Sequence, residues 1–332
     1  MKHLLPPVTY YKASLHTHST VSDGQLTPEE VKAAYKEKGY SILALTDHSA
    51  MVDHSELTEP DFLMITGVEM DLVKERAGKT CHLCMLSRDP HLQWIPFRDA
   101  DLLPHMAEYV DRCENGELPH SYSPENINAI IAKANEKGCL VTYNHPAWSM
   151  EYYPDYSPLE GLWGMEYFNS GSAAYGHDEH NGWVFREFLH LRKNLMPVMA
   201  DDMHRTVNPR SGCPVLGVAC TMVGAEALTY DAVMDALARG DLYSSLGPEI
   251  HSLTWDDGIL RITCSPAKKI QLIKNRRRYE MRLGEGLTEA EFDMKKWHEL
   301  SADDPDGWFY LIVTAADGTY AVTRAYRSTE LA

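Results

Sequence analysis

Histidines and carboxylates at the ends of successive β-patterned runs constrain this chain more than any other feature. His16-Thr17-His18 follows the run 10–15, and the period of two along an extended chain puts both imidazoles on one side, within reach of one ion. Asp23 comes five residues later, just before Gly24. Asp47-His48 closes the run 41–46, and Glu69 closes the run 61–70. In 80–85 the apolar Cys81, Leu83 and Met85 face one way, while His82 and Cys84 face the interior shared with the preceding groups. Asn144-His145-Pro146 ends another run, and Asp201-Asp202-Met203-His204 ends a later one with a D-x-H pair sharing a side. Each of these, taken singly, has a bland explanation: a surface histidine, a carboxylate capping a helix, a satisfied core histidine. Together, His16, His18, Asp23, His48, Glu69, His82, His145, Asp202 and His204 gather ionisable groups in one spot, at a cost that cations must neutralise.

The β runs alternate with helical patterns. Pro28-Glu29-Glu30 opens a helix that Gly39 ends, Ser123 caps one running to Gly138, and 183–194 and 231–239 carry helical periodicity. Further β runs at 139–144, 165–168 and 195–200 continue the alternation, which predicts an α/β fold of βαβ units around a parallel sheet, open or closed as a barrel. After about residue 240 the texture changes to β runs at 259–264, 269–273, 308–313 and 320–326, separated by turns such as Asp256-Asp257-Gly258. Residues 1–240 therefore read as the α/β unit and 241–332 as a smaller β-rich one.

Composition narrows the partners. Against 31 Lys and Arg stand 48 Asp and Glu, and the net charge of −17 repels polyanions, so no stable nucleic-acid partner and no anionic membrane surface is expected. Any bound phosphate has to be held locally. Prolines interrupt the N-terminal segment, and no stretch approaches the roughly 18 apolar residues of a membrane span. Seven cysteines in no framework spacing suit a reducing compartment, and the expected location is cytoplasmic. Cys81 and Cys84 form a C-x-x-C without a second pair, and read as buried thiols.

Ordered together, Leu15-His16-Thr17-His18-Ser19, Ser22-Asp23-Gly24, Leu45-Thr46-Asp47-His48, Gly67-Val68-Glu69, His82, Asn144-His145-Pro146, Glu166-Tyr167-Phe168-Asn169 and Asp201-Asp202-Met203-His204 resemble the PHP (polymerase and histidinol phosphatase) superfamily of metal-dependent hydrolases. The resemblance covers about two thirds of the chain. The tail, with Ser245-Leu246-Gly247-Pro248-Glu249-Ile250, is similar to the sandwich-like β domain of the CehA/McbA-like branch. The resemblance implies a distorted (β/α)7 barrel with a trinuclear site of two or three divalent ions (Mn, Fe or Zn). His16, His18, Glu69 and Asp202 would hold the first ion, Glu69 would bridge to a second held by His82 and His145, and Asp23, His48 and His204 would hold the third. The attacking group implied is a metal-bridging hydroxide held by Glu69 and Asp202. The family often has His where this chain has Asp23, which makes the third site harder and better suited to Mn or Fe than to Zn.

Asp47, Asn144, Glu166 and Asp201 neighbour these ligands and read as partners orienting imidazoles. Three divalent ions against three carboxylates leave about +3, a deficit that a phosphoryl group matches. Arg205 and Arg210 are candidates to clamp it, or loop salt bridges in an acidic protein. His177 and His180 are candidates to protonate a leaving group, or simply a surface loop. Trp148, Tyr152, Tyr153 and Tyr156 follow His145 and either stack on a substrate or pack as a lid. Three readings stay open: a phosphoesterase acting on a small phosphorylated metabolite such as a nucleotide or sugar phosphate, a hydrolase of a carbamate, ester or amide at the same site, and a metal-bound sensor or binding module.

Overall fold

The computed structural model describes residues 1–74, 78–99, 102–277, 279–301, 304 and 306–331. Seven strands lie side by side in chain order: Thr9–Ser14, Ile42–Leu45, Leu63–Lys74, Lys79–Ser87, Cys139–Tyr143, Gly164–Asn169 and Met196–Ala200. Beyond the last strand, the Asp202 N–H donates to the His16 carbonyl (3.0 Å) and the His18 N–H to the Met203 carbonyl (3.2 Å). These bonds form a parallel bridge between Thr17 and Met203, so the run curls back to its first strand at the end that carries the histidines.

The first three strands pair in parallel, as do the last three. Lys79–Ser87 is antiparallel to both Leu63–Lys74 and Cys139–Tyr143. This corrects the expectation of a parallel sheet throughout. A connection as short as 75–78 permits a hairpin and is too short for the crossover that parallel strands need. The pairing also moves Glu69. Its strand continues to Lys74, so Glu69 lies inside a long hairpin arm, opposite Cys84, and does not end a strand.

Local sequence explains the helices around this run. Pro28–Glu37 starts at a capping box, with the Glu30 N–H donating to Thr27 Oγ1 and the Thr27 N–H to the Glu30 carboxylate. Pro124–Glu136 is capped by Ser123 and buries Ile127, Ile130, Ile131 and Ala134, the single face that spacings of three and four residues create. Gly182–His190 and Tyr230–Arg239 likewise present Phe185, Phe188 and Leu189, and Val233, Met234 and Leu237, to the interior.

Cys220–Ala225 adds to the open side of Thr9–Ser14 in antiparallel fashion. From it a continuous hydrogen-bonded path runs through Leu242–Ser245, Tyr320–Thr323, Trp308–Thr314, Ile259–Lys274 and Ile250–Asp256 to Lys2–His3. The β texture after residue 240 is present, with Ile259–Lys274 forming one strand, irregular near Ala267, where two runs were expected. Asp257 and Gly258, at φ 45° and 80°, make the tight turn leading into it. The strands Lys2–His3, Cys220–Ala225, Leu242–Ser245 and Glu280–Asp293 were not visible in the sequence pattern. Among the described residues no helix is long and apolar enough to cross a membrane.

Candidate metal centre

Six imidazoles (His16, His18, His48, His82, His145 and His204) and three carboxylates (Asp23, Glu69 and Asp202) converge on one end of the seven-strand run, where all but the deeper His16 and His18 line a cavity of about 610 Å³. The backbone turns sharply where two of them leave their strands. His145 (φ 23°) and Asp202 (φ 49°) adopt left-handed conformations that aim their side chains inward.

The tightest group is His16, His18, Glu69 and Asp202. His16 Nε2 lies 3.1 Å from His18 Nε2, 3.1 Å from Glu69 Oε2 and 3.3 Å from Asp202 Oδ1. His18 Nε2 lies 3.2 Å from the same Glu69 oxygen and 3.1 Å from the same Asp202 oxygen. Ligands about 2.1 Å from a shared ion stand roughly 3.0 to 3.4 Å from one another, depending on coordination angle. Asp202 Oδ1 is buried without a partner in hydrogen-bonding geometry, and so is His48 Nδ1. Two unpartnered buried atoms among oxygens and nitrogens crowded at such separations form a donor set that fits a cation.

The second Glu69 oxygen, Oε1, faces His82 Nδ1 at 3.1 Å and His145 Nε2 at 3.2 Å, so its two oxygens look toward different imidazole pairs. Around Asp23 the set is looser, with His204 Nε2 at 3.2 Å, His18 Nδ1 at 3.8 Å and His48 Nε2 at 4.0 Å. Burial raises the cost of charge on Glu69 and Asp202, yet the surrounding imidazoles outweigh it and hold both carboxyls well below their usual range. Burial also opposes charge on His145, but Glu69 overcomes it and lifts that imidazole to about 9. His48 goes the other way. Burial, helped by neighbouring His18, pushes it down to about 3 and leaves a neutral ring with a free lone pair.

The neighbours expected to orient imidazoles divide into two kinds. Glu166 Oε1 lies 2.7 Å from His16 Nδ1, while its Oε2 accepts the His145 N–H and the Asn169 amide, which fixes His16 with Nε2 toward the cluster. Asn144 donates to Glu69 Oε1 (2.8 Å), holding a carboxylate and no imidazole. Asp47 and Asp201 bond to none of these imidazoles. Asp47 accepts from the N–H and hydroxyl of both Ser19 and Ser22, and Asp201 accepts three successive N–H groups from Gly217, Val218 and Ala219. Both brace loops, because a strand-end carboxylate flanked by turning chain meets free backbone donors first.

Arg205 lines the cavity; Arg210 and the exposed His177 do not. His180 Nδ1 lies 2.8 Å from the Tyr320 hydroxyl and its ring lies against Phe168. Trp148 sits edge-on to His82 (5.1 Å) and His145 (5.0 Å), whereas Tyr156 is buried against Phe188. Tyr152 and Tyr153 are exposed and outside the cavity. Residues not singled out beforehand also serve the cluster. Ser149 Oγ lies 3.2 Å from His145 Nδ1, and Asn169 donates to Asp202 Oδ2 (3.2 Å). Asn169 stands at the end of the Glu166-Tyr167-Phe168-Asn169 motif, which was the available signal, while nothing local marked Ser149.

Among known proteins, a 5'-3' exoribonuclease of Haemophilus influenzae is 33% identical over 119 residues, 33% of this chain and 43% of that protein, so the chain spans less than half the length of that curated relative. A two-domain protein containing a predicted PHP-like metal-dependent phosphoesterase from Bacteroides vulgatus aligns over 98% of each chain at 16% identity, with a TM-score of 0.45. An amidohydrolase from Chromobacterium violaceum, solved with bound sulfate and no metal, aligns over 61% of this chain and 89% of its own at 18% identity and a TM-score of 0.40. The PHP domain family matches residues 14–165, the stretch that contributes His16, His18, Asp23, His48, Glu69, His82 and His145 to the cluster, and over that stretch the chain is similar to that family.

Proposed function

We propose that the chain is a metal-dependent phosphoesterase that hydrolyses a small phosphorylated metabolite, a nucleotide or sugar phosphate. The observation carrying this reading is the set of donor atoms 3.1 to 3.3 Å apart around Glu69 and Asp202, at the floor of a cavity that Arg205 also lines. His16, His18, Glu69 and Asp202 would hold one divalent ion, Glu69 with His82 and His145 a second, and Asp23, His48 and His204 a third, of Mn, Fe or Zn. Such ions, when bound, acidify a water and polarise the phosphoryl group. Glu69 and Asp202 would stand beside that water, Arg205, which lines the cavity, would neutralise a phosphoryl oxygen, and Glu166 keeps His16 and the His145 backbone in place. Water supplies the new P–O bond, the ester P–O bond breaks, and the leaving oxygen departs as an alcohol.

The similarity to an exoribonuclease supports phosphoester chemistry, while the charge of −17 disfavours RNA as a stably bound partner. We read the seven-strand run as a distorted (β/α)7 barrel, the residues after about 240 as a second domain, and the cytoplasm as the place of work, which the free cysteines suit. The aromatic wall at Trp148 favours a second reading, hydrolysis of an aryl carbamate or ester at the same ions.

A turnover panel of the Mn, Fe and Zn forms against nucleoside monophosphates, sugar phosphates and aryl carbamates decides. Phosphate release from the first two classes, lost in Glu69→Gln, is expected. Carbamate turnover without phosphate release selects the second reading. Metal binding with no turnover of any class overturns both in favour of a sensor or binding module.

A further inference from the structure

The cavity extends past the ligand cluster along one strand face. Glu69, Asp71 and Val73 alternate with the buried Met70 and Leu72, so this face of Leu63–Lys74 lines the cavity over about 13 Å, from a ligand to an apolar end. The carboxylate between them is engaged within the wall. Asp71 Oδ1 lies 3.8 Å from His120 Nε2 and Asp99 Oδ1 lies 3.8 Å from His120 Nδ1, while the His120 ring stacks on Phe97 at 4.5 Å. Beyond them the lining turns apolar. Val73 is 51% exposed, Leu103 44% and Trp148 40%, and Leu102 and Met106 stand with Leu103. Two contacts hold these residues round one opening. His105 Nε2 lies 2.7 Å from the Ser22 carbonyl oxygen, which ties the Leu103 segment beside Asp23, and the Thr80 N–H, opposite Val73 in the hairpin, donates to the Ser149 carbonyl (3.2 Å) next to Trp148. Exposed apolar residues scattered singly are ordinary, but three that line the same cavity as the cluster leave apolar surface for a ligand to cover.

We propose that this apolar end receives an aliphatic chain, so that the preferred substrate is an amphiphile, the phosphate monoester of an alcohol that carries an alkyl chain. The inference rests on the phosphoesterase reading and names what lies beyond the ester oxygen. The phosphoryl group occupies the cluster beside Arg205, the one Lys or Arg among the described lining residues, so the anionic end of the substrate has its partners there. The ester oxygen then directs the alcohol along the face from Glu69 to Val73, and its far end covers Val73, Leu103 and Trp148 and releases the water over them. A second anion or a bare polyol at that end loses hydration against side chains that return no hydrogen bond. Four of the five apolar side chains, Val73, Leu102, Leu103 and Met106, are aliphatic and follow a flexible chain, whereas the Trp148 indole is turned edge-on to His82. Val73 and Leu103 are thus specificity-determining residues that lie outside the ligand set.

The test compares methyl, butyl, hexyl and octyl phosphate, esters of alcohols with nearly equal leaving ability, each below its micellar concentration and with the most active of the Mn, Fe and Zn forms. Expected is a kcat/KM that rises about threefold per methylene from butyl to octyl, as partial burial of each CH2 dictates, carried mainly in KM. The double variant Val73→Ser, Leu103→Ser should compress the octyl-to-butyl ratio by roughly tenfold or more. Methyl phosphate turnover, metal content per chain and Tm should stay nearly unchanged in it. Turnover of methyl phosphate with no dependence on chain length overturns the inference and leaves the phosphoesterase reading standing. A rise that persists undiminished in the double variant also overturns it, by placing the chain elsewhere. Absence of phosphate release from all four esters removes that reading and the inference with it.

Discussion

Gly24 shows how closely the backbone is drawn around the cluster. A Cβ there would lie 2.7 Å from the His18 carbonyl carbon and oxygen and 2.8 Å from Ser19 Cα, contacts with backbone that cannot swing aside. Gly24→Ala is expected to displace His18, cost about 1–3 kcal/mol of stability and lower metal content, measured by thermal melting and elemental analysis. Glu69 and Asp201 are both buried carboxylates with separable jobs. Glu69→Gln should lose bound metal and turnover with a nearly intact fold. Asp201→Asn turns an amide donor toward backbone N–H groups that now donate to it, and should cost about 1–3 kcal/mol while retaining most of the metal. Equal metal loss at matched stability would refute this division.

At the scale of the element, the segment after His145 is held by acids buried beneath it. Glu179, itself fully buried, accepts the Trp148 N–H (2.7 Å) and the Asn181 amide (2.8 Å), tying the Trp148 loop to the chain ahead of Gly182–His190. Glu151 accepts the hydroxyls of Tyr122 (2.5 Å) and Tyr143 (2.8 Å). Burial pushes Glu151 up to about 7, against which the two phenols act only in part. A carboxyl raised on folding favours the folded state fully below its unfolded value near 4.5, and that advantage fades as pH rises through 7. Relative to the wild type, Glu151→Gln should therefore gain stability between pH 5 and pH 8, by at most about 3 kcal/mol. Urea unfolding midpoints of both proteins at the two pH values measure it, and parallel midpoints would contradict the assignment.

Across the whole molecule, the β-rich region shares one sheet with the strands that carry the cluster, yet among the described residues it contributes none to it. His251 is exposed beside Glu249, and His298 packs on Trp255. Replacing either with alanine should leave the metal stoichiometry of the chain intact, whereas His18→Ala or His145→Ala should lower it, read by elemental analysis on samples of matched circular dichroism. The region is bound in from both ends of the chain. Lys2–His3 pairs with Ile250–Asp256, and the Tyr326 hydroxyl donates to the Leu4 carbonyl.

The sequence alone determined what depends on near neighbours. Period-two spacing set His16 beside His18, capping residues fixed the starts of Pro28–Glu37 and Pro124–Glu136, and the sum of nine ligand-type groups made a shared cation the economical reading. Tertiary structure decided what depends on which strands meet. It turned Lys79–Ser87 antiparallel, carried the strand beyond Glu69, and gave Glu166 an imidazole to hold. It also gave Asp47 and Asp201 loops to brace, and brought Ser149, Asp99 and Trp148 to the cavity. A carboxylate next to a ligand in sequence has no fixed partner until the chain returns past it, because side-chain hydrogen bonds are chosen by the donors that folding delivers and not by distance along the backbone.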